Sequence, residues 1–139
     1  MLLYIGWGGF LGAVSRYGLS QFLAAQKPLQ MFPWATFAEN LLGSFLLGFF
    51  MILALEWLMV SPAVRMAVAT GFLGSFTTFS TYVHEGLTLF LAGSRGMSLT
   101  YLIGSMFLGL LLTIAGMGLG RHLSTVVKKG KKKLEHEAD

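Results

Sequence analysis

A small set of polar side chains stands inside long apolar stretches of this 139-residue chain, and their types limit the chemistry open to it. Arg16, Thr36, Asn40, Thr78, Ser80, Thr81, Tyr82, Tyr101 and Ser105 can all donate hydrogen bonds. Donors in an apolar setting suit a small anion, whereas an organic cation would need acceptors or acids. Thr36 and Asn40 are four apart and share one helix face, as do Tyr101 and Ser105. The Asn40 amide can donate to an anion or tie two helices together. Tyr101 and Ser105 read as a polar track of donors or as a pair of interhelical bonds. Phenyl ring edges are electropositive, so Phe79 and Tyr82 can hold a weakly hydrated anion beside the hydroxyls of Thr78, Ser80 and Thr81. Glu85 reads as a gating, pathway or proton-linked acid, or as a simple acceptor for nearby hydroxyls. Glu39 falls on another face from Asn40, at the headgroup level or beside a basic group. Arg16 sits deep in the first apolar stretch, where a central arginine costs about 2.5–3.5 kcal/mol on insertion scales. It either reaches back to the interface or lines an electropositive vestibule.

Other chemistries are poorly served. The chain has no cysteine, which removes disulfides, thiolate nucleophiles and thiolate metal sites. Its three histidines, His84, His122 and His136, are scattered. His84, Glu85 and Ser80 are close in sequence, yet no nucleophile elbow, metal signature or phosphate loop surrounds them, so an enzyme is not expected. The formal charge of +4 comes from Arg121 and five lysines, Lys128, Lys129, Lys131, Lys132 and Lys133. No aromatic residues interleave with them, so they read as a solvated tail at a lipid headgroup surface, not as a nucleic-acid site.

The elements that must position these groups are membrane helices. Only 12% of residues are charged and 55% are hydrophobic. A soluble domain carries about 25% charged residues, so this chain cannot face water on all sides. Mean hydropathy is +0.69. The fold class is therefore all-α integral membrane, with four spans expected at about 2–25, 33–60, 62–92 and 98–123 in one domain, 1–127, and a basic then acidic tail, 128–139. The first stretch lacks a basic n-region and a cleavage site, and reads as a retained helix. Gly8 and Gly12, then Gly43, Ser44 and Gly48, and then Gly104, Ser105, Gly109, Gly116 and Gly120 offer thin faces for close helix packing. Pro28 marks a turn, Pro33 a first helical position, and Trp57 with Glu56 the far interface. Ser61 followed by Pro62 reads as an N-cap and first helical residue. The turn before the last span is placed at 93–97. The third span is too long for a plain crossing, and its middle, 70–82, combines two glycines with β-branched and hydroxyl residues. That composition weakens a helix and predicts a break. Freed carbonyls there are natural ligands for a hard monovalent cation, an arrangement broken transporter helices use.

These residues carry a resemblance. The run Thr70-Gly71-Phe72-Leu73-Gly74-Ser75-Phe76-Thr77-Thr78-Phe79-Ser80-Thr81-Tyr82 looks like the TGF-x-G-x-x-TTFST-[FY] break motif of the Fluc fluoride channels, also called CrcB proteins. GGFLGAVSRY, Gly8 to Tyr17, resembles that family's first-helix signature, and the segment 36–48 with Asn40 and Gly43 resembles its second. The resemblance covers nearly the whole chain. It implies a passive, fluoride-selective channel that lowers cytoplasmic fluoride, in a bacterial plasma or inner membrane. It implies an antiparallel, dual-topology dimer with two ion pathways, and a structural sodium ion held by backbone carbonyls from both copies. By this likeness those carbonyls are Gly74 and Thr77, the phenylalanine box is Phe79 and Tyr82, the pathway asparagine is Asn40 and the vestibule arginine is Arg16. Tyr101 and Ser105 map to the polar track. Tyr82 adds a hydroxyl where phenylalanine is usual, Gly109 stands where many relatives carry a track serine, and Glu39 takes an often apolar position.

Two other classes compete. A small multidrug-type exporter has the same size and dimeric habit but needs a first-span carboxylate, and this span holds Arg16 and no acid. A non-transporting membrane subunit would explain the glycine faces but not the break motif. Charge balance bears on assembly. Four spans would put both termini, Arg65, Arg121 and the five lysines on one side, against Lys27 and Arg95 on the other. The positive-inside rule would then favour one orientation, so a heterodimer with an oppositely oriented paralogue stands as the alternative to the favoured homodimer.

Overall fold

The computed structural model describes the backbone of residues 1–26, 31–56 and 60–138 and the side chains of 1–25, 31–56 and 60–129, and the described residues are helical almost throughout. Lys27 and Pro28 of the expected first turn, and Trp57 at the expected interface, lie outside them. Helix α1 is Leu2–Gln26 and α2 is Trp34–Glu56. A short α3, Pro62–Met66, runs into a π-helical segment, Ala67–Leu73, and then into one turn, α4, Gly74–Phe76. Helix α5 is Phe79–Leu91 and α6 is Arg95–Ala138. At about 1.5 Å per residue, α1 and α2 each exceed the ~30 Å hydrocarbon layer. α2 and the Arg95–Lys129 part of α6 are long and apolar enough to cross it.

The helix ends follow local chemistry. The Ser61 hydroxyl accepts from the Val64 N–H at 3.4 Å, with Pro62 in the first turn of α3. Pro33 sits one residue earlier than expected: it precedes α2, and its carbonyl accepts from the Phe37 N–H at 3.1 Å. Helix α5 closes on Gly93 at φ 83, a left-handed conformation that glycine adopts without steric cost. Gly93 N–H donates to Phe90 O at 3.1 Å and Ser94 N–H to Leu89 O at 3.0 Å, the paired bonds of a Schellman end. The Ser94 carbonyl already accepts from Ser98 at 3.0 Å, so α6 starts at Arg95 and the turn is shorter than the expected 93–97. α6 also continues past 123 through the basic segment, because lysine and glutamate are good helix formers.

Two seams hold the bundle: α2 lies along α6, and α1 lies along the π-helical segment and α4. Both depend on missing side chains. A Cβ on Gly12 would lie 3.0 Å from Phe72 Cα, and one on Gly116 would lie 2.9 Å from Phe49 N. Gly104 differs from the expectation: a Cβ there would meet nothing within 4 Å, so it is not part of the α2–α6 seam. Near the end of α2, buried Ser124 donates to Glu56 Oε2 at 3.0 Å, and Arg121 Nε lies 4.0 Å from Glu56 Oε1. Large apolar residues such as Trp7, Phe10, Phe107, Leu110 and Leu111 are exposed on α1 and α6. Surface of that extent and character suits lipid or a partner chain, not water.

Candidate functional site

The helix stops at Phe76 and a new one starts at Phe79. Thr77 (φ −85, ψ 156) and Thr78 (φ −143, ψ 123) are extended. Both threonines stabilise the ends they separate. The Thr77 hydroxyl turns back to donate to Leu73 O at 2.9 Å, and the Thr77 N–H donates to the same oxygen at 3.0 Å. The Thr78 hydroxyl caps α5 by accepting from the Thr81 N–H at 3.3 Å, and donates to Thr81 Oγ1 at 2.9 Å. The β-branched hydroxyl residues thus replace missing main-chain bonds with side-chain ones.

Two neighbouring helices grip this break. From α1, Arg16 Nε donates to the Ser75 carbonyl at 3.1 Å. From α2, Asn40 makes a paired contact: its Nδ2 donates to the Thr78 carbonyl at 2.9 Å and its Oδ1 accepts from the Thr78 N–H at 2.8 Å. Asn40 therefore ties helices together, and one N–H of its amide is left over for another acceptor. An open cavity of about 280 Å³ lies beside the break, lined by Asn40, Gly43, Ser44, Gly74, Thr77 and Phe79 among others. No donor among the described residues bonds the carbonyls of Gly74 and Thr77. No carboxylate among the described residues lines the cavity. Uncharged carbonyls without a counter-charge fit a hard monovalent cation such as sodium, and two from one chain leave room for ligands from a second copy.

A second cluster lies where α2, α5 and α6 meet. Glu85 accepts from the Thr36 hydroxyl at 3.0 Å through one oxygen and from the Tyr101 hydroxyl at 2.8 Å through the other. Thr36 and Tyr101 are buried. The Ser105 hydroxyl donates back to the Tyr101 carbonyl at 2.5 Å, within its own helix. Of the Tyr101–Ser105 pair, only Tyr101 bonds another helix. Glu85 also lines a separate cavity of about 330 Å³, with His84, Thr88, Met31 and Phe32. The Tyr82 hydroxyl donates to the Leu102 carbonyl of α6 at 2.6 Å. Its ring stands 5.8 Å from Phe79 and 5.4 Å from Tyr101, and Tyr101 continues the row to Phe32 at 5.5 Å. Phe79 is 78% exposed and Ser80 is exposed as well, so these two look outward while Thr81 is half-buried in the cap.

Sequence reasoning missed part of this setting. Glu39 is buried, Oε1 accepts from the Ser20 hydroxyl, and a basic group, Arg16, lies nearby as one of the two expectations had it. Arg16 and Glu85 both lie near enough to act on its charge. Ser20 follows Arg16 by four positions, and that shared face was the available signal. The Leu102 carbonyl and the Phe32 and Phe37 rings around Tyr101 carried no signal, since apolar residues in an apolar helix look alike.

Comparison with known proteins places the chain among relatives. Residues 3–117 match the family described as "CrcB-like protein, Camphor Resistance (CrcB)". A protein of Thermus thermophilus named fluoride-specific ion channel is 44% identical over 118 residues, covering 85% of this chain and 91% of the relative. One of Chlorobium chlorochromatii with the same name is 43% identical over 116 residues, covering 84% and 88%. One of Magnetococcus marinus, again so named, is 40% identical over 120 residues, covering 86% and 97%.

Proposed function

This chain belongs to the CrcB-like family, and from that premise we propose that it is a fluoride-selective ion channel of a bacterial plasma or inner membrane, through which fluoride leaves the cell passively. It is a channel and not an enzyme. The observation that carries the reading is the match to relatives named for fluoride over most of their length, beside a family match whose residues, 3–117, include the break and its two clamps. Four crossings are proposed, the third interrupted at Thr77–Thr78, in an antiparallel pair of copies. The length of α1 and the apolar outer faces of α1 and α6 support this.

Fluoride is strongly hydrated, so a narrow pore must replace its water with donors and electropositive edges. The exposed Phe79 ring, the Tyr82 ring adjacent to it and the exposed Ser80 hydroxyl would do so. Asn40 offers its remaining amide proton, and Thr81, Thr36, Tyr101 and Ser105 extend the pathway along the α2–α6 side. Glu85 holds the Thr36 and Tyr101 hydroxyls with its own carboxylate, so an incoming anion competes with it for the same two donors. Arg16 contributes positive charge from the middle of α1. The carbonyls of Gly74 and Thr77 would hold a structural sodium ion between the two copies, which supplies positive charge at the centre of the pair. A small multidrug-type exporter remains disfavoured, because α1 offers Arg16 in place of an acid.

The test is ion efflux from liposomes containing only this purified protein. Fluoride is read with a fluoride electrode and chloride is the control. Rapid fluoride loss with chloride retained is expected. Well-folded protein that releases neither ion would remove the self-sufficient channel, and equal loss of both would remove the selectivity.

A further inference from the structure

The grip on the break is asymmetric in chemistry and symmetric in position. Arg16 bonds the carbonyl of Ser75, the residue after Gly74. Asn40 bonds both main-chain groups of Thr78, the residue after Thr77. Each free carbonyl is thus followed by a peptide unit that another helix has fixed, one from α1 and one from α2. No other side chain bonds the main chain of 74, 75 or 78 among the described residues. An extended pair of residues between two helix ends has two soft torsions per residue, which the Thr77 and Thr78 bonds within the third span restrain and the two clamps from α1 and α2 restrain further. We propose that Arg16 and Asn40 are positioning residues, which together hold the Gly74 and Thr77 carbonyl oxygens at the separation and direction that a bound monovalent cation requires.

This assigns Arg16 a task other than attracting anions. A guanidinium beside a cation site is electrostatically unfavourable, so its presence there needs an explanation in geometry. Its Nε is committed to a carbonyl, and the buried Glu39 carboxyl nearby acts on its charge. Glu39 is itself fixed by Ser20, one turn after Arg16 on the same face of α1. A bond to a charged donor is among the stronger kinds and is directional, which suits a part whose role is to hold a carbonyl still.

The inference rests on the reading of Gly74 and Thr77 as cation ligands, and the experiment separates the two. Purified protein is melted in detergent across a sodium titration, with N-methylglucamine keeping ionic strength constant. A ligand that binds only the folded state raises Tm as its concentration passes its dissociation constant. Wild type is expected to gain Tm with sodium. Arg16→Gln and Asn40→Leu are expected to need about tenfold more sodium for half the gain, the size of a strong hydrogen bond lost. Asn40→Leu removes the bonds to Thr78 and adds no charge beside the cation site, so it also serves if Arg16→Gln does not fold. Arg16→Lys, which retains a charged donor, is expected to fall between wild type and Arg16→Gln. Lower Tm with an unchanged sodium midpoint in both variants would overturn the clamp and leave the cation site standing. No sodium response in wild type would overturn both.

Discussion

Tyr82 concentrates the residue-scale question, because it carries a hydroxyl where a ring alone would serve the pathway. That hydroxyl donates to the Leu102 carbonyl at 2.6 Å. A carbonyl one residue after Tyr101 fixes the ring between Phe79 and Tyr101 and leaves no proton for an ion. Tyr82→Phe is therefore expected to lower stability by about 1 kcal/mol, the net worth of a hydrogen bond, while fluoride efflux and its preference over chloride stay near wild type. Thermal melting and the liposome assay measure the two. Lost efflux in a folded Phe variant would mean that the hydroxyl contacts the ion. Glu85 is the opposite case, since it spends both oxygens on donors that the proposed pathway needs. Glu85→Gln replaces one acceptor with an NH2 group facing a hydroxyl, and efflux is expected to change by more than about tenfold with the bundle intact. Unchanged flux would take Glu85 off the pathway.

At the scale of elements, glycine works by position, and the structure separates those that hold a seam from those that do not. Gly12 faces the Phe72 main chain, and Gly116 faces the Phe49 main chain. Backbone cannot move aside as a flexible side chain can, so Gly12→Ala or Gly116→Ala is expected to cost about 1–3 kcal/mol. Gly18 on α1 has open space around it. Gly18→Ala is expected to leave stability unchanged or raise it by up to about 1 kcal/mol through helix propensity. Melting all three variants tests the division, and equal losses would show that the seams are not what the glycines serve. The sequence made much of this visible. Apolar length and low charge pointed to a helical membrane chain, Ser61–Pro62 marked a helix start, and the hydroxyl-rich run 70–82 contains the interruption at Thr77–Thr78. The π-helical segment Ala67–Leu73 was not legible, because its composition is that of any apolar helix. Its form goes with tertiary fit: a Cβ on Gly71 would lie 2.6 Å from the Ile5 carbonyl, so α1 presses directly on this widened turn. The partners of Arg16 and Asn40 were hidden for the same reason. Both bond main-chain atoms, and main chain leaves no mark on sequence.

For the whole molecule, the unresolved tension is between charge and symmetry. Antiparallel pairing of identical copies requires that the chain insert both ways, and lysines and arginines oppose this when they gather on one side. Arg65, Arg121 and the five lysines of 128–133 would all fall on the side of the termini, with only Lys27 and Arg95 opposite. The helix geometry qualifies that bias. α6 continues through the basic segment, so those lysines follow the last apolar stretch directly and come after it in order of synthesis. Arg121 stays in the count although its Nε lies 4.0 Å from Glu56, because acids weigh little in this rule. What then remains to set orientation is Arg65 and Arg121 against Lys27 and Arg95, an even balance. The chain has no native cysteine, so a single cysteine placed at Ser94, in the turn between α5 and α6, reports orientation cleanly. An impermeant maleimide applied to intact cells is expected to label about half of the molecules, with the rest labelled only after the membrane is opened, as even charge allows. Labelling confined to one face would show that the terminal lysines dominate after all. The second copy at the break would then have to be a different chain of opposite orientation, contributing its own carbonyls beside Gly74 and Thr77.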